Sequence, residues 1–218
     1  GNKFLKDTGT PFYEVKGDLT IRNTATFDLN GFNIAVEGSW INNDAGSVFV
    51  PGTMTVLMRS PVTAATTNIT SRDTTQNPFY DLVVSGKGIV KPNDELKIRN
   101  NFRIDSASTL LQQATNVTLN GNWLNYKGTY ATNNATLYLN GTITQTITKP
   151  IADETFDKLV LRNAKIVLED EIVHGAICVR DGIIADISSG TGRRGRGIRL
   201  IKSAMDEVNY NSTGNEVQ

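Results

Sequence analysis

A single histidine, His174, follows an acidic run at residues 169–171. A histidine beside carboxylates suits general-base catalysis or metal binding, because imidazole titrates near neutral pH and both groups bind cations. A hydrolytic metal, however, needs several such ligands, and the acids align with a similar turn at residues 93–95. The calcium-binding loop pattern Asp-x-Asp-x-Asp-Gly is also missing. We therefore predict a solvated turn, no catalytic residue, no metal, no cofactor and no enzymatic activity.

Two tryptophans, Trp40 and Trp123, are the residues best suited to ligand binding. They lie in matching phrases at residues 34–42 and 117–125, each with Gly-x-Trp-x-Asn near its end. An exposed indole beside polar side chains stacks on sugar rings, so both residues are predicted ligand-binding positions of a carbohydrate-binding module. The alternative is that both rings pack against the next layer of the core.

A basic run at residues 193–202 has five cations interleaved with glycine and could contact phosphate or an anionic polysaccharide. It has no aromatic residue on which a base could stack. Across the chain, 22 Lys and Arg balance 22 Asp and Glu, so no net charge attracts nucleic acid. We expect no nucleic-acid partner. Polysaccharide or cell-surface components stay open as partners, and the oligomeric state is undetermined.

Several other classes of protein are disfavoured by simple features of the sequence. Phosphate-loop, nucleophile-elbow and zinc-protease motifs are missing. The single cysteine, Cys178, forms no disulfide framework. No apolar run approaches the roughly 18 residues of a membrane-spanning helix, so we expect no membrane span. The chain begins without Met or a signal-peptide pattern, and we expect it to be a piece of a longer protein.

The elements that position these residues are short runs in which apolar and polar residues alternate. This period of two is typical of β-strands with one buried face. The inward residues predicted in this way include Ile34 and Val36, Val56 and Met58, Val117 and Leu119, Leu137 and Leu139, and Ile143 with Ile147. Turn pairs separate the runs and supply residues that accept left-handed backbone conformations. They include Asn30-Gly31, Pro51-Gly52, Asn120-Gly121 and Asn140-Gly141.

A degenerate repeat relates the two halves of this pattern. Residues 79–84 match residues 156–161 at an offset of 77, and the two tryptophan phrases match at an offset of 83. Length changes between matched strands are typical of surface loops. We expect a first β-repeat unit at residues 1–92 and a second, with the start of a third, at 93–189. Residues 190–218 would form a Gly/Arg-rich tail, poorly ordered or weakly helical.

Two all-β architectures fit this repeat. In a β-solenoid, similar to a parallel β-helix, stacked coils join the inward residues into one interior. In a tandem β-sandwich, each unit of about 77 residues packs two sheets face to face. We favour the solenoid, because the strands are short and closely spaced, and keep the sandwich as the alternative.

Four phrases carry a resemblance to a known group of proteins: Gly-x-Leu-Thr-Ile at residues 17–21, Phe-x-Leu-Asn-Gly at 27–31, Val-x-Gly-x-Trp at 36–40 and Phe-x-x-Leu-Val at 79–83. Together they resemble the repeat region of large secreted and cell-surface proteins of Bacteroidota, over about residues 17–189. The resemblance implies an extracellular or cell-surface location and an adhesin-like or structural role. We expect a non-catalytic module that acts as a β-rich spacer or display rod.

A second resemblance covers only residues 159–189. This span is similar to the opening strands of cyclic amidohydrolases, particularly the phosphonate-metabolism branch. The resemblance implies a metal-dependent hydrolase whose paired histidines follow those strands. The chain has one histidine, so this alternative requires a fragment carrying only the N-terminal part of such an enzyme, joined by fusion or misassembly.

Overall fold

A computed structural model describes residues 12–72, 77–148, 156–167, 172–180 and 183–189. Every regular element among these residues is a β-strand, and none is a helix. The prediction of an all-β solenoid is confirmed, and the tandem sandwich is not the architecture. The described residues contain no helix that is long and apolar enough to cross a membrane. The predicted tail at residues 190–218 lies outside the described residues.

The chain winds through six coils before the sheet topology changes. In chain order the strands are β1 (Tyr13–Val15), β2 (Leu19–Thr20), β3 (Thr26–Asp28), β4 (Ile34–Val36), β5 (Trp40–Asn42), β6 (Val48–Val50), β7 (Thr55–Ser60), β8 (Thr66–Ser71), β9 (Asp81–Gly86), β10 (Ile89–Pro92), β11 (Leu96–Ile98), β12 (Phe102–Ile104), β13 (Thr109–Gln113), β14 (Val117–Leu119), β15 (Trp123–Asn125), β16 (Thr129–Asn133), β17 (Thr136–Leu139), β18 (Ile147–Thr148), β19 (Lys158–Val167), β20 (Ile172–Arg180) and β21 (Ile183–Ser189).

Three sides of the solenoid are formed by sheets whose strands run parallel through the coils. Sheet 1 has the order β1-β4-β7-β9-β12-β15-β18, and sheet 2 has β2-β5-β8-β10-β13-β16. Sheet 3 has β11-β14-β17-β19-β20-β21, and the pair β3-β6 takes the third position in the first two coils. Each side therefore receives about one strand per coil, which is the arrangement that buries alternate residues of every strand.

The structural repeat is a single coil, which is much shorter than the predicted unit. Asn101 and Asn122, at equivalent corners of consecutive coils, are 21 residues apart in sequence. The sequence offset of 77 is not a whole number of such coils, and it therefore relates strands on different sides. Leu82 is in sheet 1, but Leu159, its match in the sequence, is in sheet 3.

The expected unit boundary at residues 92 and 93 falls between β10 and β11, which belong to the same coil. Sheets 1 and 2 continue past this point without a change of strand direction. The described part of the chain up to β17 is thus a single stack of coils.

Aromatic side chains fill the interior at both ends of the stack. Trp40 contacts Phe49 and Phe79, with ring centroids 4.7 and 5.3 Å apart. In the later coils, Trp123 contacts Phe102 at 4.8 Å and Phe156 at 5.5 Å. Burying a large apolar side chain contributes roughly 1.5–3 kcal/mol, so these two clusters stabilise the coils that they join.

Strand direction changes in the last part of the described chain. β19 pairs parallel with β17, but β20 and β21 continue sheet 3 in antiparallel pairs. The register of β19 shifts between Leu161 and Ala164, which marks a β-bulge. The change falls in the span, residues 159–189, that resembles the opening strands of amidohydrolases.

Candidate functional site

The two predicted ligand-binding tryptophans lie inside the solenoid. Trp40 and Trp123 are both 0% exposed and pack in the aromatic clusters described above. They also occupy different sides, since Trp40 is in sheet 2 and Trp123 is in sheet 1. A sugar needs an accessible ring face for stacking, and neither indole provides one. The alternative role in the core is the one that their positions support.

Of the other sequence candidates, the structure describes His174 and Cys178, both on β20. His174 is exposed on β20, opposite Lys165, while the acidic run at 169–171 and the basic run at 193–202 lie outside the described residues. Cys178 is a half-buried free thiol. No group of three or more potential metal-ligating side chains occurs among the residues that the structure describes.

The acidic turn at residues 93–95 joins neighbouring coils. The Asp94 carboxylate accepts a hydrogen bond from the backbone N–H of Ser71 at 3.1 Å. The Glu95 carboxylate accepts one from the Thr118 hydroxyl, also at 3.1 Å. Both carboxylates are thus engaged in hydrogen bonds between coils.

A surface groove runs along the corner where sheet 3 gives way to sheet 1. Three adjoining depressions of about 240, 280 and 350 Å³ form it, and each shares lining residues with the next. We call it the corner groove. Its principal side chains are those of Lys97, Arg99, Thr118, Asn120, Asn140, Thr142, Ile143, Thr144, Arg162 and Asn163.

The floor of the groove follows from the coil register. Ile98, Leu119, Leu139 and Leu161 point inward and are aligned across sheet 3. The residues that directly follow them face outward, because side chains alternate along a strand. These are Arg99, Asn120 and Asn140, which directly follow β11, β14 and β17, and Arg162, which lies within β19. The coil register therefore places a row of two amides between two guanidinium groups.

Glycines at this corner let the coils approach closely. A Cβ on Gly121 would collide with the backbone oxygen of Asn100, and a Cβ on Gly141 would collide with that of Asn120. The prediction of left-handed conformations is correct for Asn30 and Gly31, with φ of 49° and 86°. At Gly121 and Gly141 glycine is required instead by close backbone contact.

Hydrogen bonds between coils fix the groove wall on the side of sheet 1. The side-chain oxygen of Asp81 accepts the N–H of Asn101 at 2.7 Å, and that of Asn101 accepts the N–H of Asn122 at 3.0 Å. Asn122 in turn accepts the N–H of Thr146 at 2.7 Å. Each accepting residue directly precedes or begins a strand of sheet 1. We call this series of hydrogen bonds the ladder, and it keeps equivalent corners of successive coils aligned. Asn33 accepts the N–H of Thr55 in the same way.

The charged side chains described in the groove are of one sign, positive. Among the described residues that line it, three side chains are cationic and none is a carboxylate. The ion pairs between described residues lie elsewhere, in a cluster on the first three coils and between Arg103 and Asp105. Asp81 lies beside the groove, and its carboxylate accepts hydrogen bonds from Asn100 and Asn101.

Arg162 is held over an aromatic ring. Its guanidinium carbon lies 4.5 Å from the ring centroid of Tyr138, a half-buried residue on the outer face of β17. A cation over a tyrosine face is attracted by the ring quadrupole. At the bulge beside it, the Asn163 amide donates to the Gly141 carbonyl at 3.3 Å. The Tyr138 ring thus holds the Arg162 guanidinium in place beside the groove.

A second polar cavity of about 490 Å³ lies near the last coil, lined by residues 132–136 with Asp157, Lys158 and Arg180. One carboxylate oxygen of Asp157 is buried without a hydrogen-bond partner. Charges of both signs line this cavity, which distinguishes it from the corner groove.

Sequence reasoning missed the corner groove. A signal was present, because Asn101 and Asn122 each precede an inward aromatic residue and lie 21 residues apart.

No family model, curated protein or solved structure matches the chain.

Proposed function

We propose that this chain is a non-catalytic structural and adhesive module of a secreted or surface-exposed bacterial protein, acting as a β-rich spacer or display rod. The observation that carries the proposal is the unbroken register of sheet 1 from β1 to β18. A continuous stack transmits force between its two ends through many parallel hydrogen-bonded strands.

The interior supports the same role. One apolar cluster runs from Ile21 in the first coil to Leu139 in the sixth. At about 4.8 Å per strand, six coils give a length of about 29 Å. Each coil contacts mainly its neighbours, so coils can be added without redesigning the rest, as in other solenoids.

Single-molecule pulling tests the spacer role. Cysteine handles replace Thr20 in β2 and Asn133 in β16, in a Cys178→Ser background. Both positions are exposed and are separated by five strand spacings, about 24 Å. We expect the length to stay constant under tension and then to increase in steps of about 70 Å, the extended length of one coil.

Gradual extension from the lowest tension would overturn the spacer role. A matched chain carrying Trp123→Ala, which removes a buried ring from the later coils, should rupture at lower tension.

Location is tested separately with antibodies against the folded chain. They should label intact cells of the organism that carries it, and labelling only after permeabilisation would contradict the surface assignment.

A further inference from the structure

The corner groove has the charge and shape of a site for an extended anionic polymer. Arg99 and Arg162 lie at its two ends, both exposed. Neither forms an ion pair with another described residue. An arginine fork matches a carboxylate in a bidentate hydrogen-bonded pair. Two such forks on one groove favour a ligand with more than one carboxylate.

The spacing along the groove favours a linear ligand. Arg99 directly follows β11 and Arg162 lies within β19, and these two strands are three strand spacings apart, about 14 Å. Asn120 and Asn140 lie between them, one per coil. Amide groups both donate and accept hydrogen bonds, as sugar hydroxyls do. A pyranose ring in an extended chain spans about one strand spacing, so successive rings would meet successive coils.

The groove offers no free aromatic face among its described residues, which disfavours a nucleic acid as its ligand. Binding of single strands depends on aromatic faces on which bases stack. The Tyr138 ring is covered by Arg162, and no aromatic side chain is among the described residues that line the three depressions. The cations therefore act together with amides and hydroxyls and not with a stacking platform.

We propose that the corner groove binds a linear polysaccharide whose sugars carry carboxylates, with Arg99 and Arg162 pairing to two uronate groups and Asn120 and Asn140 contacting hydroxyls between them. This inference rests on the proposed function, because it supplies the partner of a surface module. Tyr138 is a positioning residue that orients Arg162.

The test is calorimetric titration of the full chain with oligogalacturonates of one to six sugars at low salt. We expect affinity to rise with length up to about four sugars, one for each strand of the row, and to fall as salt is added. Arg99→Gln and Arg162→Gln should each weaken binding of the tetramer about tenfold. Arg72→Gln is the matched control, since Arg72 is exposed on another corner.

Two further variants separate charge from geometry. Arg162→Lys keeps the charge but loses the fork, and should recover only part of the affinity. Tyr138→Leu should weaken binding while leaving the salt dependence unchanged, because the number of charges is the same. A purely structural effect of Tyr138 would instead lower the unfolding midpoint without this selective loss.

Four results would overturn the inference: no binding of the folded chain to any oligogalacturonate, equal affinity for one sugar and four, equal loss in Arg72→Gln, or tighter binding of an oligothymidylate of equal charge. The last result would indicate a nucleic-acid groove. The pulling experiment does not depend on these arginines. A rod that stays intact but binds nothing would thus remove the groove assignment alone, and a rod that fails under tension would remove the spacer role alone.

Discussion

The side-chain oxygen of Asn101 accepts two hydrogen bonds from Asn122, one from its backbone N–H and one from its side-chain amide, both at 3.0 Å. The two residues occupy equivalent corners of consecutive coils. Neighbouring coils are thus joined by side chains as well as by the backbone pairs of the sheets. The same contact fixes one wall of the corner groove.

Replacing Asn101 by alanine should destabilise the fold by about 1–3 kcal/mol, because the N–H of Asn122 loses its acceptor at a partly buried corner. Urea unfolding followed by circular dichroism measures the change. Asn43→Ala is the control, since Asn43 is exposed, and it should change stability by less than about 0.5 kcal/mol. Equal effects of the two substitutions would contradict a role for the ladder.

Gly121→Ala should cost about 1–3 kcal/mol, because the new methyl group would collide with the backbone of Asn100 and force the coils apart. Gly17→Ala is the matched control, since nothing lies within 4 Å of a Cβ at that position. It should be neutral or slightly stabilising. Thermal unfolding of both variants distinguishes close approach from a general preference for glycine, which would affect both positions alike.

Trp123→Ala should lower stability by about 3–5 kcal/mol, because it leaves a cavity between Phe102 and Phe156. Ile143→Ala should have almost no effect, because Ile143 is 78% exposed in the loop before β18. Iodide quenching provides a second measurement, since both indoles should be shielded until the chain unfolds. Strong quenching of the folded protein would place a tryptophan at the surface.

Acid should weaken an ion-pair cluster on the first three coils. Hydrogen bonds from Lys16, and then Arg59, lower the pKa of Glu14 below its usual value of 4.5. Because the folded pKa is the lower one, the contribution of Glu14 to stability is complete at neutral pH. It is lost as the pH falls from about 4.5 through the folded pKa. The Glu14→Gln variant should show a shallower loss of stability over that range.

The effect should be small and should shrink in salt, because the Glu14 and Lys16 side chains are 43% and 66% exposed. The urea midpoint measured from about pH 3 to 6 checks this. On the alkaline side, the hydrogen bond to Glu14, and then that to Glu37, raises the pKa of Lys16 above 10.5. The contribution of Lys16 to stability is complete below pH 10.5 and is lost as the pH rises through the folded pKa. If the unmodified chain and the Glu14→Gln variant lost stability identically over the acid range, the role of Glu14 would be contradicted.

Alternation of apolar and polar residues was sufficient to predict the class of fold. Ile34, Val36, Val117 and Leu137 are buried as expected. The pattern failed at Ile143, which is exposed in a loop, and at Leu57 and Val83, which face away from the main interior yet are buried in a second cluster with Ala35 and Phe12. A period of two separates the two faces of a strand, but it does not reveal what covers the outer face.

The sequence by itself determined that strands are short, that they are amphipathic and that a solenoid is favoured over a sandwich. Only the tertiary structure decided the coil length and the side of the solenoid on which each strand lies. Every side has the same inward and outward alternation, so a match such as Trp40 with Trp123 carries no information about the side. The side depends on where the chain bends, and bends are fixed by hydrogen bonds and close contacts between consecutive coils. For that reason Arg99, Asn120, Asn140 and Arg162 form one row only in the folded chain.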